Sequence, residues 1–254
     1  MDNQTALLIQ HLSKSFGALR AVDDVSITVQ SGQVHALIGP NGAGKTTLFN
    51  CVSGFLAEDS GRVFLKGRDV TGWPTHRLVT AGLVRTFQIT TIFVELTVLE
   101  NVALAVRSRL GRNLDFVHRV GTLAEVQGEA EEILDVVGLL DERDLRGDQL
   151  AHGDKRVLEV AIGLALKPKV LLLDEPTAGM ARGETERIAK LVREIAERTS
   201  ILLVEHDTEI VLSISDRVTV MTQGRVIAEG SPADISRNEL VRDAYLGAVA
   251  SRTA

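Results

Sequence analysis

The sequence has one cysteine, no apolar run long enough to span a bilayer, and no excess of basic residues. Cys51 alone cannot close an internal disulfide, which sets the expectation of a reducing compartment. The longest apolar tract, Val157–Leu173, is broken by Glu159, Lys167, Pro168 and Lys169, so it is not a membrane span. With 28 Lys+Arg against 34 Asp+Glu the net charge is −6. Bulk charge therefore gives no hold on nucleic acid or anionic lipid, and no nucleic-acid partner is expected. Met1–Ala6 contains Asp2 and Asn3 rather than a basic stretch leading into an apolar one, so no signal peptide is expected. Neither an internal repeat nor a low-complexity linker divides the chain. Any membrane role is expected to come through a partner.

What remains is 254 residues of ordinary globular composition, 44% apolar and 24% charged, enough to bury a sizeable core. Partial alternation predicts strands over Leu7–Leu12 and Ala21–Val29, and Ser31-Gly32 marks a turn before the apolar run Val34–Ile38. Gly61–Gly67 holds a further short strand. From Val98 to Leu166 the pattern turns helical, with an apolar stripe at Ile133, Leu134 and Val137 ending at Gly138, and another over Asp154–Leu166. Beyond Pro168, strands Val170–Leu173, Ile201–Val204, Arg217–Met221 and Arg225–Ala228 alternate with helices Glu184–Arg198 and Thr208–Ser215. That alternation predicts an α/β fold, a mainly parallel sheet covered on both faces with the helical block inserted into its connectivity.

Two segments carry chemistry. Gly39-Pro40-Asn41-Gly42-Ala43-Gly44-Lys45-Thr46 fits G-x-x-x-x-G-K-[ST] between a buried strand and an apolar-periodic helix. Its glycines let successive backbone N–H groups turn toward phosphate oxygens, and the helix N-terminus adds partial positive charge. Lys45 is placed to reach the β and γ phosphates and the Thr46 hydroxyl to ligate Mg²⁺. The second segment, Val170-Leu171-Leu172-Leu173-Asp174-Glu175, is an apolar run ending in two carboxylates. Alone it reads equally as a strand ending in solvated acids. Beside a phosphate loop, Asp174 is expected in the magnesium shell and Glu175 at the attacking water, where positioning outweighs proton removal.

Four more elements, in order along the chain, make it resemble the ATP-binding cassette (ABC) ATPases. Phe16, 23 residues before Gly39, stands where that family carries an aromatic against adenine. Gln88, in Arg85-Thr86-Phe87-Gln88, matches the glutamine loop, and Leu150-Ala151-His152-Gly153-Asp154-Lys155-Arg156 occupies the place of the LSGGQ signature. His206 matches the switch histidine near the γ-phosphate. Taken singly, Phe16, Gln88 and His206 each read as ordinary core, surface or loop residues; the shared order is what carries weight. The resemblance implies a phosphate-loop (RecA-like) core sheet with an N-terminal antiparallel β subdomain and an inserted α-helical subdomain. Its bounds are 1–95 for the β subdomain and phosphate-loop core, 96–166 for the helical signature subdomain and 167–254 for the rest of the core and a tail. ATP and Mg²⁺ are the implied cofactors, with nucleotide contacts from Phe16, Asp174 and residues 39–47, including Pro40, Asn41, Gly42, Ala43 and Thr47. The implied metal contacts are Thr46, Gln88 and Asp174, and the implied catalytic residues are Lys45, Gln88, Glu175 and His206. The resemblance also implies that Ala151, His152, Gly153 and Asp154 serve ATP held by an opposite subunit.

Two departures from the family pattern stand out: Ala151 replaces the signature serine, and Ala181 follows Thr177-Ala178-Gly179-Met180 where Asp or Asn is usual. Finer similarity, in Glu95–Val102, Glu175–Met180, Val204–Asp207 and Tyr245-Leu246-Gly247, is to the LivG type of branched-chain amino acid importer subunits, a branch that also carries amides and urea. This implies a second, different cassette, two transmembrane permease subunits and, indirectly, an extracytoplasmic solute-binding protein, with the chain peripheral on the cytoplasmic face of the cell membrane. The alternatives are a soluble non-transport ABC ATPase, an exporter's cassette, or a catalytically silent regulatory one. Arg107–Arg119 is locally basic and reads either as a solvated loop or as a contact for a partner or lipid headgroups.

Overall fold

The computed structural model describes residues 4–86, 92–111 and 120–250, with the side chains of 120–123 and 245–250 outside that description. Gln88 and most of the basic stretch after Arg109 therefore lie outside the described residues.

The chain opens with strands β1 (Thr5–Phe16), β2 (Leu19–Gln30) and β3 (Val34–Ile38), then helix α1 (Lys45–Val52). There follow β4 (Ser60–Leu65), β5 (Arg68–Asp69), α2 (Thr75–Ala81) and β6 (Leu83–Arg85). Three helices come next, α3 (Val98–Arg109), α4 (Val120–Val137) and α5 (His152–Ala165). The chain then alternates through β7 (Val170–Asp174), α6 (Arg182–Ala196), β8 (Ser200–Val204), α7 (Thr208–Ile214), β9 (Arg217–Thr222) and β10 (Arg225–Gly230). It ends in α8 (Pro232–Ser236) and α9 (Glu239–Ala250).

Two sheets result. The first is antiparallel, in the order β2-β1-β4-β5; the second runs β10-β9-β3-β8-β7-β6 and is parallel except for β10. Strands β3, β7 and β8 are buried along their whole length, as central parallel strands covered on both faces must be. Their side chains divide by the two-residue period. Leu171, Leu173, Ile201 and Leu203 pack with α3, α4, α5 and α6, whereas Val170, Leu172, Leu202 and Val204 pack with α1 and the first sheet. A polar pair sits inside this sheet: His35 of β3 and Thr219 of β9 are fully buried, with His35 Nε2 2.7 Å from Thr219 Oγ1 and its Nδ1 3.2 Å from the Thr28 carbonyl.

The expected strands and helices are present, with displaced ends. α5 begins at His152, so Gly153 lies inside its first turn rather than before it. α6 begins at Arg182, before the predicted Glu184. Segments β5, α2 and β6, between the predicted Gly61–Gly67 strand and the helical block, and the last two helices are additions to the sequence reading.

Candidate functional site

In an open parallel sheet, ligands sit beyond the carboxyl ends of the strands. Here the neighbours β3, β8 and β7 end in the glycine-rich loop, in Glu205-His206 and in Asp174-Glu175. The loop turns into α1 through Gly44, whose φ is +100° and at which any Cβ would overlap the carbonyl oxygen of Ala21 on β2. Only glycine fits there. No side chain caps α1, so the amides of its first turn have no capping partner and face an anion-ready end. The β9–β10 turn braces the loop from behind: Gly224 N donates to Ala43 O at 3.0 Å, and Asp23 N of β2 donates to Gly224 O at 2.8 Å.

Lys45 is 95% buried, and its Nζ donates to the carbonyls of Gly39 (2.6 Å) and Pro40 (3.2 Å). Burial lowers its pKa, opposed by the charges of Glu175 and Asp174. A cavity of about 560 Å³ opens in front, lined by Phe16, residues 41–47, Glu175, His206 and the Gln223-Gly224 turn. Phe16, at the tip of the β1–β2 hairpin, is half-exposed and lines this cavity together with Glu175 and His206.

Glu175 has a left-handed backbone, φ +50°, unusual for a residue with a side chain. Its N–H donates to Val204 O at 2.9 Å, and its Oε1 lies 2.5 Å from His206 Nε2. A carboxylate only accepts, so Nε2 carries the proton of that bond. Asp174 is buried, with Oδ2 2.6 Å from Arg85 Nη2.

Two residues that sequence reasoning left without a role organise this end. The first is Arg85. The second is Glu205, 97% buried, whose Oε1 accepts from Thr177 N (2.9 Å) and Thr177 Oγ1 (2.7 Å) while Oε2 accepts from His206 N (3.1 Å). Burial raises the Glu205 pKa and those hydrogen bonds counter it. Glu205 thus clasps the loop after β7 to the loop after β8. Both residues occur inside quoted motifs, and the only available signal was their adjacency to Gln88 and His206.

The segment Ala151–Asp154 does not line this cavity. Ala151 is the N-cap of α5 and Ala181 the N-cap of α6, neither with a side-chain cap bond. The two helix starts meet: Glu184 packs against Gly153, and Arg187 Nη1 lies 2.7 Å from Asp154 Oδ1.

Unclaimed amides, a buried ammonium, the Thr46 hydroxyl and two carboxylates form a donor set that fits a triphosphate with a hard divalent cation. Among the described residues there is no cluster of three or more His, Cys, Asp or Glu that would hold a metal by itself, and no helix long and apolar enough to cross a membrane.

Comparison with known proteins matches the family described as "ABC transporter" over residues 22–178. The chain belongs to the ABC transporter family. A second match, over residues 225–251, is to the family described as "Branched-chain amino acid ATP-binding cassette transporter". The cassette is 39% identical over 253 residues to the high-affinity branched-chain amino acid transport ATP-binding protein LivG of Salmonella typhimurium, covering 96% of this chain and 99% of that one. It is 38% identical to the corresponding protein BraF of Pseudomonas aeruginosa, covering 95% and 97%. A crystal structure of a nucleotide-free ATP-binding cassette from an ABC transporter superposes with a TM-score of 0.83 at 32% identity, over 95% of this chain and 98% of that one.

Proposed function

We propose that this cassette is the ATP-hydrolysing subunit of an importer for branched-chain or related amino acids, peripheral on the cytoplasmic face of the cell membrane. In this reading it works with a second, different cassette, two permease subunits and an extracytoplasmic solute-binding protein. The observation that carries the reading is the Glu175–His206 pair sharing a cavity with the phosphate loop, in a chain whose last strand and helices match the branched-chain amino acid cassettes.

The roles follow from the chemistry of each position. The base lies on Phe16, and the amides of residues 41–46 and Lys45 take the phosphates. Lys45 exchanges the Gly39 and Pro40 carbonyls for phosphate oxygens, which match its charge better. Thr46, Asp174 and Gln88 would hold magnesium, which would supply positive charge to offset that of the phosphates. Glu175 accepts a hydrogen bond from the attacking water and aligns it in line with the leaving ADP. His206 donates from Nε2, holding Glu175 in place and offering the same proton to the γ-phosphate when the two part. The opposite cassette receives its phosphate contact from the first turn of α5, at Ala151, His152, Gly153 and Asp154. Closure of the pair shifts the permease only by the difference in ATP affinity between closed and open states. The helical unit of residues 96–166 is the part that moves, and the glutamine loop passes the motion on.

The test is co-purification of the tagged chain from its own cell membranes in mild detergent. Two polytopic subunits and a second cassette are expected. A chain found only in the soluble fraction, alone or with ribosomes, would sink the transport reading and leave the ATPase assignment standing.

A further inference from the structure

Arg85 closes the edge strand β6, and its guanidinium makes three polar contacts near the phosphate site. Nη2 lies 2.6 Å from Asp174 Oδ2, while Nη1 donates to Asn50 Oδ1 at 2.7 Å and to Ser53 Oγ at 3.0 Å. The plane also sits 5.6 Å from the ring centre of Phe49 and 5.8 Å from that of Phe55. Arg85 and Asp174 are both buried, their side chains 8% and 2% exposed. Asn50 lies in α1 and Ser53 directly follows it, and α1 is the helix that starts at Lys45 and Thr46. A single planar fork thus ties the carboxylate at the end of β7 to the far end of the phosphate-binding helix.

We infer that Arg85 is the positioning residue of Asp174: it fixes that carboxylate relative to α1, and thereby sets the affinity for the divalent cation bound with the nucleotide. The inference rests on the reading of Asp174 as a magnesium-holding carboxylate. Thr46 and Asp174 lie on different elements, a helix and a strand end, so their separation is only as definite as what joins the two. Backbone pairing holds β7 to β8 and β6, but α1 belongs to another layer. Arg85 supplies a direct polar tie between these layers. A lysine retains the charge and loses the fork, so its donors radiate from one nitrogen and no longer span Asp174 on one side and Asn50 and Ser53 on the other.

The experiment uses the full-length chain, a non-hydrolysable ATP analogue, and Mn²⁺ as a probe followed by loss of the free-ion EPR signal. Analogue binding in EDTA is measured alongside, as a check on the fold and on the phosphate loop. Arg85→Gln is expected to weaken Mn²⁺ binding about tenfold or more, as loss of a ligand-orienting partner does, with analogue binding in EDTA unchanged. Arg85→Lys is expected to fall between Arg85→Gln and the parent. Asp174→Asn sets the reference, and Arg85→Lys combined with Asp174→Asn is expected to match Asp174→Asn alone. If Asp174→Asn leaves Mn²⁺ affinity unaltered, the magnesium reading of Asp174 fails. If Asp174→Asn weakens Mn²⁺ and the Arg85 variants do not, the positioning role is overturned. Should Arg85→Gln not fold, Arg85→Lys decides. A parallel loss of analogue binding in EDTA would then make the residue merely structural and also overturn the inference.

Discussion

The imidazole Nε2 of His206 and the carboxylate Oε1 of Glu175 meet at 2.5 Å across the ends of two adjacent parallel strands. Neither side chain is placed by its own loop alone. Glu175 is held in a left-handed backbone by its bond to Val204 O, and His206 by its N–H on Glu205. The pair therefore acts as a unit. Glu175→Gln and His206→Ala are each expected to lower phosphate release about 100-fold or more, and the double variant little further. Steady-state hydrolysis checks this; a double variant showing the product of the two single effects would mean that the groups act independently.

Lys45 is buried and held by two carbonyls beside the open cavity. Lys45→Ala is expected to weaken nucleotide binding by roughly two orders of magnitude, in line with loss of a charge-assisted contact of about 3 kcal/mol. Calorimetric titration with ATP gives the answer, and normal affinity would move the phosphate site elsewhere.

Glu205 accepts from three donors, and both of its oxygens are engaged. Glu205→Gln turns one oxygen into a donor facing an N–H. A loss of about 1–3 kcal/mol in urea unfolding is expected, with hydrolysis reduced more than nucleotide binding because the His206 loop loses its clasp. Equal loss of both would make Glu205 a general structural residue.

His35 gives the fold a pH dependence of known sign. Burial lowers its pKa from 6.5 to about 4, against the opposing charge of Glu229, so the folded chain keeps the ring neutral. The unfolded chain binds the proton first on acidification. This contribution is thus complete above pH 6.5 and is lost as pH falls from there toward 4, on the order of 3 kcal/mol in all. His35→Asn is expected to be less stable at pH 7.5 and to show a flatter profile across that window. An unchanged slope would place the acid sensitivity in other groups.

Ala181 and Ala151 start helices without capping side chains. Ala181→Asp is expected to raise stability by about 0.5–2 kcal/mol through a bond to the N–H groups of the first turn of α6. Thermal unfolding tests it, and an unchanged or lower midpoint would mean that Glu184, which accepts from Ala181 N at 3.1 Å, already satisfies that end. A sharp rise in hydrolysis in this variant or in Ala151→Ser would favour a cassette throttled at these positions.

The sequence was most readable where one segment settles its own structure. The run Val34–Ile38 followed by the glycine loop, and Val170–Leu173 followed by two acids, each announce a buried strand ending at a ligand site. Leu83-Val84-Arg85 does not: three residues are too few for any period, and they become a strand only by pairing with β7. Arg85 meets Asp174 across 89 residues, a relation no local pattern carries. Glu205 has no local signal of its role, because its hydrogen-bond partner Thr177 lies 28 residues away in the loop after β7. The start of α6 was set too late because Ala181 offers no capping signal. The expected role of Gln88 falls outside the described residues, and the expected trans role of Ala151–Asp154 concerns a segment that does not line the phosphate cavity.

The hairpin joining β9 to β10 holds the phosphate loop through Gly224 N on Ala43 O, 181 residues along the chain. During synthesis the ribosome delivers the loop first and its buttress only 181 residues later. Every nascent chain thus carries an unsupported loop while the intervening residues are made, and the ATP cradle matures only once Gly224 has emerged. A product cut short before Gly224 keeps the whole Gly39–Thr46 motif in its sequence and lacks the bond that shapes it.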